Sequence, residues 1–172
     1  MITDRDKVVI EFLTNIPCYS NTIQKLFFPS QRTANNRLSY LYDHGYIKRS
    51  RKHASEFYFY WSGRREPSDK HKTHYDLIAR AYWWIQQNGY DIIKCEVQKE
   101  CGKVKPDLLL HIEKGSRANL LPVEIERSNN VENTIRKYEY TEFHKILLFS
   151  KRAFNKETAI EIVNINLSQL VS

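Results

Sequence analysis

The chain reads as a two-module α/β protein of α+β character, and three observations lead there. Its 172 residues, 41% apolar and 27% charged, suffice for one ordinary domain or two small ones and are too apolar for a disordered tail. The net charge of +7 is unevenly spread. Residues 1–65 hold 11 Lys and Arg against 5 Asp and Glu, a net of +6, whereas residues 66–172 hold 16 against 15, a net of +1. Between the two lies the run SGRREPSDKHK, Ser62–Lys72, where Gly, Pro, Ser and six charges occur without an apolar side chain, as in an exposed connection. The modules are drawn accordingly, as residues 1–65 and 72–172.

A sequence pI near 9.3, with six Lys and Arg between Tyr46 and Arg65, favours a polyanionic partner, and double-stranded DNA is the default one. No stretch reaches the ~18 apolar residues of a membrane span, and the N-terminal MITDRDKVV has acids where a signal peptide has a basic flank, so a cytoplasmic location without membrane insertion is expected. Cys18, Cys95 and Cys101 are odd in number and lack Cys-x-x-Cys spacing, which supports neither a disulfide framework nor a zinc finger. Neither an internal repeat nor a low-complexity tract is present.

In the first module, Thr3 or Asp4 caps a helix carrying Val8, Val9, Phe12, Leu13 and Ile16 at helical spacing, and Pro17 stops it. Ser20 or Asn21 opens a second helix with Ile23, Leu26, Phe27 and Phe28, ended by Pro29. A third starts at Ser30, with Ala34, Leu38, Leu41 and Tyr42 on its apolar face, and Gly45 closes it. YIKRSR and EFYFYW, separated by KHAS, then form a hairpin. Three short helices and a hairpin are the layout of a winged helix-turn-helix, whose third helix enters the major groove by its N-terminal end. That helix supplies Gln31, Arg32, Asn35, Asn36 and Arg37, residue types suited to base edges, while Lys48, Arg49, Arg51 and Lys52 on the wing suit phosphates. The plainer alternative is a solvated basic face on a helical bundle. The aromatic run Phe57–Trp61 fits hairpin and interdomain packing better than base stacking.

In the second module, His74–Gln87 is a helix burying Leu77, Ile78, Ala81, Trp84 and Ile85, ended by Asn88 and Gly89. The strands DIIKCEVQ, KPDLLLHI and NLLPVEIER follow. Asn130 or Asn129 caps a helix through Val131, Ile135 and Tyr138, and HKILLFSK is a last strand. Helix, three strands, helix and strand make an α/β layer. Pro106-Asp107 opens one strand, and Glu124 and Glu126 share a face of the next. Carboxylates gathered this way repel unless a cation neutralises them, which suits Mg²⁺ or Mn²⁺ held by Asp107, Glu124 and Glu126.

On these residues the second module resembles the PD-(D/E)xK, restriction-endonuclease-like fold, with Asp107 as the PD aspartate and Glu124 as the first acid of the second motif. The usual lysine two positions on is Glu126 here, a variant that occurs among active restriction endonucleases. A winged helix followed by KPDLLLHI, VEIERSNN and IRKYEY is similar to the replication-relaxation proteins of plasmids and other mobile elements, which overlap with MobC-type relaxases. Their motifs fall on Pro106-Asp107, Glu124–Arg127, and Arg136, Lys137, Tyr138 and Tyr140. A common Gly-Thr after the Arg is Ser128-Asn129 here. The resemblance implies a metal-dependent nicking endonuclease or relaxase, with Asp107, Glu124, Glu126 and Lys137 as catalytic residues.

Each residue also has a plainer role. Asp107 can terminate a strand, Glu124 and Glu126 can face solvent beside Arg127, and Lys137 or the weaker candidate Lys105 can be a surface lysine. His74 and Asp76 can complete a metal shell or bond locally. His71 and His74 alone are too few for zinc. The alternative functions are a non-catalytic DNA-binding accessory factor or transcription regulator, with the second module serving contacts such as those of a homodimer, and an RNA-binding adaptor.

Overall fold

The computed structural model describes residues 1–114, 117–128, 130–154 and 158–170, and divides into two compact units, Met1–Trp83 and Trp84–Ser172. The chain is mixed α/β, as expected, with a five-stranded mixed sheet. None of the helices among the described residues is long and apolar enough to cross a membrane.

In the first unit, α1 (Asp4–Asn15) starts from a capping box: Asp6 N donates to the Thr3 hydroxyl, and Thr3 N donates to Asp6 Oδ2 at 2.6 Å. Val9, Phe12, Leu13 and Ile16 are buried, but Val8, expected among them, is 52% exposed because it falls off the stripe they form. The pair β1 (Cys18–Tyr19) precedes α2 (Ser20–Phe27), and α3 (Gln31–Asp43) is capped by Ser30, whose side chain accepts from Thr33 N at 3.2 Å. Gly45, at φ +74°, turns the chain out of α3. β2 (Lys48–Ser50) and β3 (Phe59–Trp61) form the expected hairpin, and β1 adds to β3 in an antiparallel sheet of order β1-β3-β2. Sequence reading missed β1, since two residues cannot display alternation.

α4 (Asp69–Gln87) begins ahead of the expected His74, with Ser68 O accepting from Lys72 N at 2.9 Å. The units divide within this helix, beyond the boundary drawn from charge. The reason lies in Asp76, which is 5% exposed. Its Oδ1 accepts from Tyr19 N at 3.0 Å and from the Thr22 hydroxyl at 2.8 Å, so it caps α2 from outside, and Oδ2 accepts from Arg80 Nε at 2.7 Å. The early part of α4 therefore folds with α2, and Asp76 serves as a local anchor.

In the second unit, β4 (Asp91–Val97), β5 (Leu108–Lys114) and β6 (Arg117–Glu126) pair antiparallel with one another in chain order. After α5 (Val131–Arg136), β7 (Lys145–Ser150) and β8 (Glu161–Asn166) continue in parallel from β6, giving the order β4-β5-β6-β7-β8. Asn130 is the residue before α5, without a side-chain cap bond; Asn129 lies outside the described residues. One face of the sheet presents Ile146 and Leu148 to Val131, Ile135 and Tyr138, and on the other Phe149 meets Trp84 edge-on at 5.6 Å. β8, a half-buried edge strand with two asparagines, was not anticipated.

Candidate functional site

The first candidate surface lies on the first unit. Ala34, Leu38 and Leu41 turn the inner face of α3 to the core, which leaves Arg32, Asn35 and Asn36 exposed. Gln31 is half-buried and donates to Asn35 Oδ1 at 2.8 Å. Arg37 is turned away from this group. Its Nε donates to Asp6 Oδ1 at 2.6 Å, and Nη2 reaches Asp6 Oδ2 and Met1 O. Arg37 therefore ties α3 to α1, and its bonds hold the Asp6 carboxyl far below the usual range.

On the hairpin, Lys48, Arg51 and Lys52 are exposed, and Lys48 Nζ donates to Gly63 O at 3.0 Å. Arg49 is half-buried instead. Its guanidinium lies 4.1 Å from the Tyr42 ring of α3 and 4.5 Å from the Tyr58 ring, and Arg51 lies 4.4 Å from Tyr58. Phe59, Tyr60 and Trp61 are buried, in keeping with a packing role, whereas Phe57 is 52% exposed. The roles of Tyr42 and Tyr58 were missed. The register explains the contact with Tyr58, because Arg49 stands opposite Tyr60 and Tyr58 lies two residues before it, just ahead of β3.

The second candidate site is built by β5, β6 and α5. Leu108 pairs with Val123, so the next step of the antiparallel register sets Asp107 against Glu124. Asp107 Oδ2 accepts from Ile125 N at 2.8 Å. Glu124 pairs with Leu148, on the sheet face covered by α5, and is 7% exposed. There it accepts from the Tyr138 hydroxyl at 2.6 Å. Burial first, and the neighbouring Asp107 second, push the Glu124 carboxyl up to about 7; the Tyr138 bond and the Lys137 cation act in the other direction. The Tyr138 phenol is driven far above its ordinary range by burial and by Glu124.

Glu126 lies on the same strand face but is differently engaged. Its Oε1 accepts from the Ser128 amide at 2.7 Å and hydroxyl at 2.5 Å, and Oε2 from the Thr134 hydroxyl at 2.6 Å. Although partial burial opposes it, these bonds and Lys137 hold its carboxyl below the usual range. Glu126 thus braces the β6–α5 connection, a job its sequence position did not announce. Lys137 follows α5 and is exposed, with its charge acting on both Glu124 and Glu126, while Lys105 is simply exposed.

Among the described residues no group of three or more His, Cys, Asp or Glu is disposed to hold a metal ion. The expected three-carboxylate cluster is assembled as a pair, Asp107 and Glu124, with Glu126 bonded elsewhere. The pair still suits a hard cation: two close carboxyls, one buried and reluctant to ionise, gain from a positive neighbour. Mg²⁺ takes only one or two protein carboxylates where phosphate oxygens and water complete its shell. No protein-family model, no curated protein and no solved structure matches the chain.

Proposed function

We propose that the protein binds double-stranded DNA through a winged helix-turn-helix formed by its first unit, and that its second unit is a PD-(D/E)xK-like module that nicks DNA with a divalent metal. The observation that carries the binding reading is the exposed trio Arg32, Asn35 and Asn36 at the start of α3, accompanied by a cationic hairpin. Arg suits guanine and Asn adenine in the major groove, and Lys48, Arg51 and Lys52 suit phosphates.

Support for the nicking reading comes from Asp107 and Glu124, which would hold Mg²⁺ or Mn²⁺. The bound ion would polarise a phosphodiester and activate a water or hydroxyl nucleophile. Tyr138 fixes the orientation of Glu124 through its 2.6 Å bond, and the Lys137 cation offers favourable charge to a phosphoryl group near the pair. The likeness of the motifs to those of replication-relaxation and MobC-type proteins directs this reading toward replication or transfer of a mobile element.

A second reading, a non-catalytic accessory factor or regulator, is favoured by the engagement of Glu126 with Ser128 and Thr134, at the position where active members commonly carry lysine. Supercoiled plasmid incubated with the full chain and Mg²⁺ or Mn²⁺ separates the two. Metal-dependent open circles that vanish in Asp107→Asn and Glu124→Gln, with duplex binding kept, are the expected result. Intact plasmid with both metals, alongside unchanged duplex binding, selects the non-catalytic reading.

A further inference from the structure

A cleft of about 330 Å³ separates α3 from the hairpin, lined by Ser20, Asn35, Ser39, Arg49, Arg51 and Tyr58 among others. Arg49, Tyr58 and Arg51 of its lining continue an alternation of ring and cation that starts outside it at Tyr42, with each neighbouring pair between 4.1 and 4.5 Å. Other partly buried cations of this unit are matched by carboxylates, Arg37 by Asp6, Arg80 by Asp76 and Lys72 by Glu66. Half-buried Arg49 forms no such pair among the described residues, and neither does its exposed neighbour Arg51. Arg49 Nη1 donates to the Ser39 hydroxyl at a long 3.4 Å, the Arg49 guanidinium is also hydrogen-bonded to the Tyr60 side chain, and Arg51 Nη1 donates to Ala54 O at 3.0 Å.

A guanidinium withdrawn from water without a counter-charge is costly. Ring faces stabilise its plane through their quadrupoles but give nothing to its N–H edge. Stacking therefore fixes both forks in orientation and leaves donors over for an acceptor carrying negative charge. Bidentate pairing of a planar fork with two oxygens of one group is the geometry of Arg with phosphate. The hydroxyls of Ser20, Ser39 and Tyr58 add small donors to the same cleft, and Glu56 is the carboxylate on its lining.

We infer that the cleft between α3 and the hairpin is a phosphodiester seat, in which Arg49, pre-oriented between Tyr42 and Tyr58, clamps one phosphate of the DNA strand beside the bases that α3 reads. The seat rests on the DNA-binding reading for its natural ligand. It differs from a loose basic wing because planarity, and not charge alone, is what holds the phosphate. Lysine keeps the charge at this position and loses both the stack and the fork.

The test uses the full chain, with the Arg49 Nε–H resonance followed by NMR under titration with inorganic phosphate and, separately, with duplex DNA at low salt. Both probes are expected to shift that resonance, the duplex at much lower concentration. Arg49→Lys should weaken duplex binding about tenfold and lower the log–log salt slope by about one, with a melting curve that confirms folding. Arg51→Gln, whose side chain has fewer ties to the fold, should produce a smaller loss of the same kind. Duplex binding that leaves the Arg49 resonance unmoved, or an Arg49→Lys variant with unchanged affinity and slope, overturns the seat while the DNA-binding reading stands. A phosphate-induced shift without any duplex binding keeps the seat and removes the DNA-binding reading.

Discussion

Asp6, fully buried beneath Arg37, is an ion-pair partner, a capping-box acid and the link between α1 and α3 at once. Its carboxyl is held far down, chiefly by the Arg37 bonds. A depressed carboxyl contributes stability that is full above the unfolded value near ~3.9 and is lost as pH falls toward the folded one. Asp6→Asn should therefore flatten the acid limb of the stability curve below about pH 4 and destabilise the chain by about 2 kcal/mol at neutral pH, read by urea denaturation. Glu124 has the opposite sign. In the unfolded chain it ionises near ~4.3, but in the fold it keeps its proton to about 7, so its stability is full below the unfolded value and declines as pH rises through that window. Glu124→Gln, which retains an acceptor for Tyr138, should gain roughly 1–2 kcal/mol over the wild type above pH 7 and nothing at pH 4. Equal pH profiles for the two proteins would refute the burial argument. Neither behaviour was legible in the sequence. Arg32 and Arg37 are the same residue type on one helix, and only the position of Asp6 on α1 tells which is spent on the fold.

At the scale of elements, signals local to a few residues were the ones the sequence carried. Thr3, one of the two caps offered for α1, Ser30 ahead of α3 and Gly45 past it mark helix ends by side-chain chemistry and backbone freedom, and each stands where the sequence puts it. β1 and β8 carried no such signal: one is two residues long, and the other is an edge strand whose partner β7 supplies the pairing. The start of α4 was misplaced for a related reason, since Asp69–Thr73 lack apolar periodicity and are drawn into the helix by Ser68. Gly45 gives a direct check. A Cβ there meets nothing within 4 Å, so Gly45→Ala should cost only the left-handed backbone penalty, about 1 kcal/mol in a denaturation series. For α3 as a reading element, Asn36→Ala should erase about 1–3 kcal/mol of discrimination between a selected site and its single-base variants, while Lys52→Gln should weaken all of them alike. Competition binding against a randomised duplex library measures both. A preference altered by Lys52 and not by Asn36 would place the reading surface on the hairpin instead.

For the molecule as a whole, redrawing the boundary does not move the charge. Residues 1–83 hold 14 Lys and Arg against 8 Asp and Glu, a net of +6, and residues 84–172 hold 13 against 12, a net of +1. Electrostatic attraction to a duplex scales with the phosphates actually neutralised, each releasing counterions, so the salt dependence of binding reports the phosphates met rather than total charge. Part of the first unit's charge is already consumed internally, by Arg37 with Asp6, Arg80 with Asp76 and Lys72 with Glu66, and the exposed cations of the hairpin and α3 are among those that stay available. The double replacement of Lys48 and Lys52 by Gln should then lower the log–log salt slope by about two, since each phosphate left without its lysine takes away about one. Lys151→Gln with Arg152→Gln, a pair that removes the same formal charge from exposed positions of the second unit, should change the slope by less than half as much. Filter binding across a salt series reads both variants at unchanged net charge between them. If the two pairs flatten the slope equally, long-range field rather than located pairing governs association, and the assignment of binding to the first unit falls. An unequal response ties the affinity to the hairpin, because two proteins of identical net charge can differ in slope only through where their cations meet the phosphates.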